Sequence, residues 1–241
     1  MVDFRIFIKT IKLIALFIAL INPPLFSQQI AQFSQYMFND FIYNPAIAGS
    51  NGSLEGTSSF RKQWAGFDNA PVTFTLSIHA PAKTGNHGIG GYIFADRSGL
   101  LKRQGINLSY SYHVNIDESN SLFFGVSGIL TQSKIDGRDL IIIEQNDDAI
   151  NTNIKMVTVT PDLNFGLYFK ASNYYIGLAT SQLLQSKANI SPLPEEQRLM
   201  LKLYRHYFGM AGYKYKVNED LDIEPSILFK AAKGSPYQLD I

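Results

Sequence analysis

Cysteine is absent from all 241 residues. Its absence excludes disulfides, thiolate metal sites and cysteine nucleophiles. Long hydrophobic runs are also missing. The longest, Leu13 to Ile21, has nine residues, and a membrane-spanning helix needs ~20. Helical membrane folds are thereby excluded, so any membrane crossing falls to strands closed into a barrel, in which every backbone group is paired. A large charge excess is lacking too, because 21 basic residues face 20 acidic ones. That balance argues against a nucleic-acid partner.

What is present begins with a basic start at Arg5, Lys9 and Lys12, followed by the apolar run and by Asn22-Pro23-Pro24 before Ser27. This pattern reads as a secretory signal peptide over residues 1–27, cleaved ahead of Gln28. Without Arg5, Lys9, Lys12 and Asp3, 18 basic and 19 acidic residues remain, a mature net charge of −1. A small exported scaffold would lean on disulfides. Here the 214 residues from Gln28 onward suffice for a large β-domain without them.

Val72 to Ala80 alternates without error, with Val72, Phe74, Leu76, Ile78 and Ala80 on one face and Thr73, Thr75, Ser77 and His79 on the other. Ile106 to Asn115 repeats the pattern. Both are period-two strands. Weaker alternation predicts strands near 54–62, 87–96, 121–132, 162–170, 173–180, 203–216 and 221–231, with a tenth opening at Tyr237. Most have the length that a tilted strand needs to cross a bilayer. Their connections are expected to alternate between short ones, around 83–86, 117–120, 171–172 and 218–220, and longer ones. The longest are 133–161 and 181–202. Short periplasmic turns and longer outer loops produce this rhythm in outer-membrane barrels. The fold class expected is therefore all-β, an antiparallel transmembrane β-barrel over residues 53–241, with an irregular or helical leader at 28–52. In that barrel Phe74, Leu76 and Ile78 would meet lipid. Thr73, Thr75 and Ser77 would line a polar lumen, wide enough to accept even Thr75→Arg.

Chemistry is sparse. Among the four histidines, His79, His87, His113 and His206, a pairing with Ser77 or Ser111 is conceivable, but no spacing places a catalytic triad. Asp136, Asp139, Asp147 and Asp148 cluster in a loop without the spacing of a calcium-binding hand, and a solvated outer loop is the simpler reading. No cofactor motif is present and no catalytic residue is expected. Arg61, Lys62, Trp64 and Phe67 gather two cations and two aromatics in one short connection, where a partner contact competes with anchoring in an interfacial aromatic girdle. Tyr36, Phe38, Phe41 and Tyr43 form an aromatic set in the leader, expected either to plug the lumen from the periplasmic side or to pack beneath the barrel.

The leader reads Gln32-Phe33-Ser34-Gln35-Tyr36-Met37-Phe38-Asn39, then Tyr43-Asn44-Pro45-Ala46 and Ala48-Gly49-Ser50. Downstream come Arg61-Lys62-Gln63-Trp64-Ala65-Gly66-Phe67, Asn69-Ala70-Pro71, His79-Ala80-Pro81 and Leu108-Ser109-Tyr110-Ser111-Tyr112. From about Gln32 to its end, this chain resembles the PorP/SprF family of type IX secretion system membrane proteins. The resemblance implies a non-enzymatic outer-membrane barrel of the Bacteroidetes phylum that supports export or surface attachment of secreted adhesins, in some members for gliding motility. Its expected partners are other type IX components, secreted surface proteins and outer-membrane lipid. Members of the family tend to be longer, and a strand opens only at Tyr237, so closing strands beyond Ile241 are expected. Two other readings stay open on the residues alone: a passive channel or transporter for small solutes, and a secreted β-sandwich adhesin.

Overall fold

The computed structural model describes residues 35–67, 70–83, 85–136, 155–189 and 200–241. The expected signal peptide, the first residues of the leader and most of the acidic loop, including Asp139, Asp147 and Asp148, lie outside the described residues. Three short 3-10 turns come first, at Tyr36–Phe38, Asp40–Ile42 and Pro45–Ile47. Strands follow: β1 (Glu55–Lys62), β2 (Val72–Pro81), β3 (His87–Ser98), β4 (Leu101–Asn115), β5 (Ser121–Asp136), β6 (Lys155–Lys170) and β7 (Tyr174–Ser181). After them come β8 (Lys187–Asn189), β9 (Met200–Lys202), β10 (His206–Tyr213), β11 (Tyr215–Lys216), β12 (Asp222–Ile223), β13 (Ser226–Ala232) and β14 (Gln238–Asp240).

Ten of these form one antiparallel sheet in the order β1-β2-β3-β4-β5-β6-β7-β10-β13-β14, and β8-β9 and β11-β12 are small separate ribbons. Each strand of the sheet pairs with the next sheet strand along the chain, the two ribbons falling within connections, which is an up-and-down meander. Among the described residues β1 and β14 are not paired with each other, so the sheet is open. No helix among the described residues is long and apolar enough to cross a membrane.

Four expected boundaries need correction. β4 starts at Leu101 rather than Ile106, because Leu101 to Gly105 pair with Phe94 to Ser98. The connection after β3, expected among the longer ones, is therefore only Gly99-Leu100, with Gly99 at φ +58°. β5 runs on to Asp136 and β6 begins at Lys155, so both ends of the expected 133–161 loop belong to strands. The expected strand 203–216 stops at Tyr213. The β11-β12 ribbon then extends the turn expected around 218–220.

The sheet is inside-out. In β2, Thr73, Thr75, Ser77 and His79 are buried, while Phe74, Leu76 and Ile78 are exposed. In β4, Asn107, Ser109, Ser111 and His113 are buried and Ile106, Leu108, Tyr110, Tyr112 and Val114 are exposed. β6 does the same with Thr160, Asp162 and Asn164 against Val159, Leu163 and Phe165. A water-soluble sheet hides its apolar face and wets its polar one; here the two are exchanged over three well-separated strands. The outward row from Ile106 to Val114 covers eight residue steps, ~27 Å along the strand, the scale of the apolar band of an outer-membrane barrel. Aromatic side chains flank the aliphatic band: Tyr112, Tyr174 and Tyr213 are exposed at one end, Trp64, Tyr207 and Tyr237 at the other.

The sheet is also curled. Tyr36 Oη lies 2.9 Å from Ser226 Oγ on β13, while Thr57 on β1 donates to the carbonyl of Phe38 at 3.3 Å. In a flat sheet, eight inter-strand spacings would hold β1 and β13 ~38 Å apart. Both reach one short turn, so the two ends of the sheet come round towards each other.

Candidate functional site

The polar inner face receives the leader, and the sheet has been thinned to fit it. Asn44 is fully buried; its Oδ1 accepts from the amide of Ala46 at 3.0 Å and its Nδ2 donates to the carbonyl of Leu167 on β6 at 2.9 Å. Capping the Pro45–Ile47 turn in this way satisfies a backbone donor that burial would orphan. Glycines supply the space. A Cβ on Gly166 would overlap Asn44 Oδ1, one on Gly125 would overlap the amide of Ala46, and one on Gly88 would overlap the carbonyl of Ala48. Three strands thus lack a side chain where the leader crosses them.

Next to that seat, three polar side chains hold the backbone of Ala48-Gly49. Ser111 Oγ donates to the Ala48 carbonyl at 2.6 Å, and His113 Nε2 lies 3.1 Å from the same oxygen and 2.8 Å from Ser111 Oγ. From β2, His79 Nδ1 accepts from the amide of Gly49 at 3.2 Å. The serine proton is thus given to a carbonyl, and His113 Nε2, facing two oxygens, is the donor. A general base would need the reverse arrangement. This Ser-His pair holds the leader. Gly49 has φ +71°, and a Cβ there would press on the β2 backbone at Ala80 and Pro81.

The aromatic set of the leader divides. Phe41 is buried against His79, with ring centroids 4.7 Å apart, and edge-on to Tyr92 at 6.2 Å. Tyr43 is buried edge-on to Phe208 at 5.3 Å, with Lys230 Nζ 5.2 Å from its ring centre. Tyr36 is buried beside β13. Phe38 is 70% exposed and lies outside this cluster. Phe123, Tyr168, Met210 and Leu228 complete the apolar core around the leader.

Beyond the leader, inner-face side chains are joined by polar bonds. Asp96 accepts from Thr73 at 2.7 Å and pairs with Arg103 at 2.9 Å. Ser127 accepts from Asn107 at 3.0 Å and from Asn164 at 2.9 Å. Asp162 accepts from the amides of Leu163 and Leu184, pinning the chain that leaves β7. Beside them lies a cavity of about 80 Å³, bounded by Tyr43, Tyr92, Arg103, Asp162, Gln182 and Phe208. It has room for a few waters. Thr75 is 1% exposed, so the wide lumen expected at that position is not found.

The connection after β1 is less unified than its composition suggests. Arg61 is half-buried on the inner side, opposite Thr73, whereas Lys62 is exposed opposite Val72 on the outer side. Trp64, at φ +48°, and Phe67 are both exposed, joined by the Phe67 amide to Trp64 carbonyl bond at 3.1 Å. Of the four residues, these two share one exposed turn. Asp136 ends β5, and among the described residues no group of three His, Asp or Glu is arranged to hold a metal ion.

The model of one protein family, the type IX secretion system membrane protein PorP/SprF, matches residues 25–241. The chain belongs to this family. No curated protein matches it. The matched span takes in the leader and all ten strands of the sheet, so the PorP/SprF match and the glycine-seated leader concern the same unit. PorP/SprF membership makes the chain a membrane component of a type IX secretion system. The motif residues Asn44, Pro45, Ala46, Ala48 and Gly49 are the ones with seats in the sheet. Their part in the fold was not readable from the sequence, since their partners lie 30 to 123 residues away.

Proposed function

We propose that this PorP/SprF protein is a non-enzymatic component of the outer membrane, in which the curled sheet forms the wall of a β-barrel and the leader is its resident plug. In this role it supports export or surface attachment of secreted adhesins, gliding motility being one process so served. The observation that carries the reading is the exchange of faces: an aliphatic outer surface flanked by aromatics, and a polar interior bonded to residues 36–49. A backbone edge cannot stay unpaired in hydrocarbon, so in the membrane the edges of β1 and β14 are both paired. Residues 1–27 act as the export signal and are removed. The leader occupies the periplasmic half, and the connections at 137–154 and 182–205 face the cell exterior. Partners are other type IX components, the secreted surface proteins and outer-membrane lipid.

The alternative is a passive solute channel, which needs a continuous path through the interior. One pair of measurements separates the two readings. Affinity capture of the tagged chain from solubilised envelopes should recover type IX components, and the purified protein in a planar bilayer should pass no steady current. A lasting conductance together with capture of no secretion component would replace this reading by a solute channel.

A further inference from the structure

The hairpin of β10 and β13 continues past the end of the sheet. Gly212 stands opposite Ser226, the Tyr213 amide donates to the Pro225 carbonyl at 3.0 Å, Tyr215 stands opposite Ile223, and the Val217 amide donates to the Leu221 carbonyl at 3.0 Å. One register thus runs from β10 through β11 to the turn at 218–220 and back through β12 to β13. The neighbouring strand stops sooner. Tyr213 is paired with Tyr174, the first residue of β7, and the Lys214 amide donates to the Asn173 carbonyl at 2.7 Å. Beyond that bond the β11-β12 ribbon has no third strand among the described residues. Pro225 has no N–H to return to Tyr213, so the ladder is one bond weaker where the ribbon leaves the sheet.

Successive residues of a strand take opposite faces. On β10 Tyr207 and Tyr213 are exposed and Phe208 and Met210 buried, so the odd positions point outward. The same parity in the ribbon gives Tyr215, Val217, Leu221 and Ile223, all exposed. Its other face carries Lys214, Lys216, Asp222 and Glu224, with Lys214 Nζ 2.9 Å from the Asp222 carboxylate. The ribbon is therefore amphipathic, and its apolar face continues the outward face of the sheet. The turns beside it are polar: Asp117-Glu118-Ser119-Asn120 and Ala171-Ser172-Asn173. An apolar row is thus not a general feature of this end.

Val217 lies four residue steps past Tyr213, ~13 Å along the strand, and Tyr213 stands with Tyr112 and Tyr174 at the edge of the aliphatic band. Unpaired backbone edges keep the ribbon out of hydrocarbon. Standing straight out, it would hold four large apolar side chains in water, where a lone two-stranded ribbon is marginal. Leaning outward at Pro225, it lays that face on the membrane surface, and its edges stay hydrated. We infer that the β11-β12 ribbon is a foot on the lipid surface, with Tyr215, Val217, Leu221 and Ile223 at the boundary of headgroups and acyl chains and Lys216, Asp222 and Glu224 turned to water. An amphipathic element in the interface plane buries its apolar face at that boundary, and tyrosine suits the headgroup level. The inference rests on the membrane-spanning reading above, from which it takes the lipid against the outward face of β10 and β13.

The test uses the full chain reconstituted in phosphatidylcholine vesicles, with one bimane-labelled cysteine at a time: Leu221→Cys on the apolar face of the ribbon, Lys216→Cys on its charged face and Leu178→Cys on the exposed face of β7. Quenching is measured with lipids carrying a nitroxide near the headgroup or near the chain end, and with iodide on both sides of the membrane. The label at 221 should be quenched most by the shallow nitroxide, and at least about threefold less by iodide than the label at 216. The label at 178 should be quenched most by the deep nitroxide. Val217→Asp, added to Leu221→Cys, should return the 221 label to water. A 221 label as open to iodide as the one at 216, or unmoved by Val217→Asp, overturns the foot while the 178 label still reports the wall. So does a 221 label shielded from iodide yet unquenched by either lipid, which marks packing against a second copy, or one open in vesicles and shielded only in native membranes, which marks a protein partner. If the 178 label too is open to iodide and unquenched by lipid, the sheet is not in the bilayer and the spanning reading fails instead.

Discussion

Single residues decide whether the leader can sit inside the sheet. Gly125 and Gly128 are three residues apart on β5, yet a Cβ on the first would overlap the Ala46 backbone while one on the second meets nothing within 4 Å. Gly125→Ala should therefore cost about 1–3 kcal/mol through overpacking, and Gly128→Ala should be close to neutral. Thermal unfolding of the two variants in detergent micelles checks this; equal midpoints would contradict the seat. Asp40, half-buried in the leader, has its carboxyl pushed up to about 6 by burial, with the negative charge of Glu55 adding to the shift. Between that value and its ordinary 3.8 the folded chain holds a proton that the unfolded chain releases. Stability should accordingly rise as pH falls from above 6 towards 4, and flatten below. Asp40→Asn should be more stable than the parent at pH 8 and equal to it at pH 3.5. A stability difference that does not change with pH would refute the assignment.

At the scale of elements, much was legible beforehand. Ten strands were expected and ten form the sheet, because apolar and polar side chains alternate between an exposed and a buried face in period two. The errors gather at the strand ends. Leu101 to Gly105 and Ser133 to Asp136 continue the hydrogen-bonded ladder, but Lys102, Gln104 and Lys134 put polar groups on the outward face, and the alternation that marks a strand fades there. The leader was hardest to read. Its seats come from glycines on three strands and from hydroxyl and imidazole groups on two more, contacts that no local pattern encodes. The placement follows from the meander: with strands alternating in direction, the strand ends flanking 137–154 and 182–205 lie at one end of the sheet, and those flanking 116–120 and 171–173 at the other. Protease added to intact cells should cut within the first pair and spare the second. Cleavage confined to 116–120 and 171–173 would invert the proposed orientation.

For the molecule as a whole, the exchange of faces sets the cost of a charge at each position. On the outer surface at mid-depth, Leu76→Arg should cost ~2–4 kcal/mol of assembly in a bilayer. Its neighbour Thr75 was expected to tolerate arginine in a wide lumen. The packed interior reverses that expectation, since the new charge would be buried without a partner, and Thr75→Arg should impair folding in lipid and in detergent alike. Folding yields in the two media distinguish them: Leu76→Arg should be worse in lipid, Thr75→Arg equally poor in both. The most direct test of the central claim exploits the absence of cysteine. Single cysteines at 76, 108 and 163, each carrying a nitroxide, are placed in the protein reconstituted into bilayers, and collision rates are measured with oxygen, which concentrates in hydrocarbon, and with a water-soluble nickel chelate. The inside-out sheet predicts high oxygen and low nickel collision at all three sites. High nickel collision at all three would show that the aliphatic face meets water, and the sheet would not be a membrane wall.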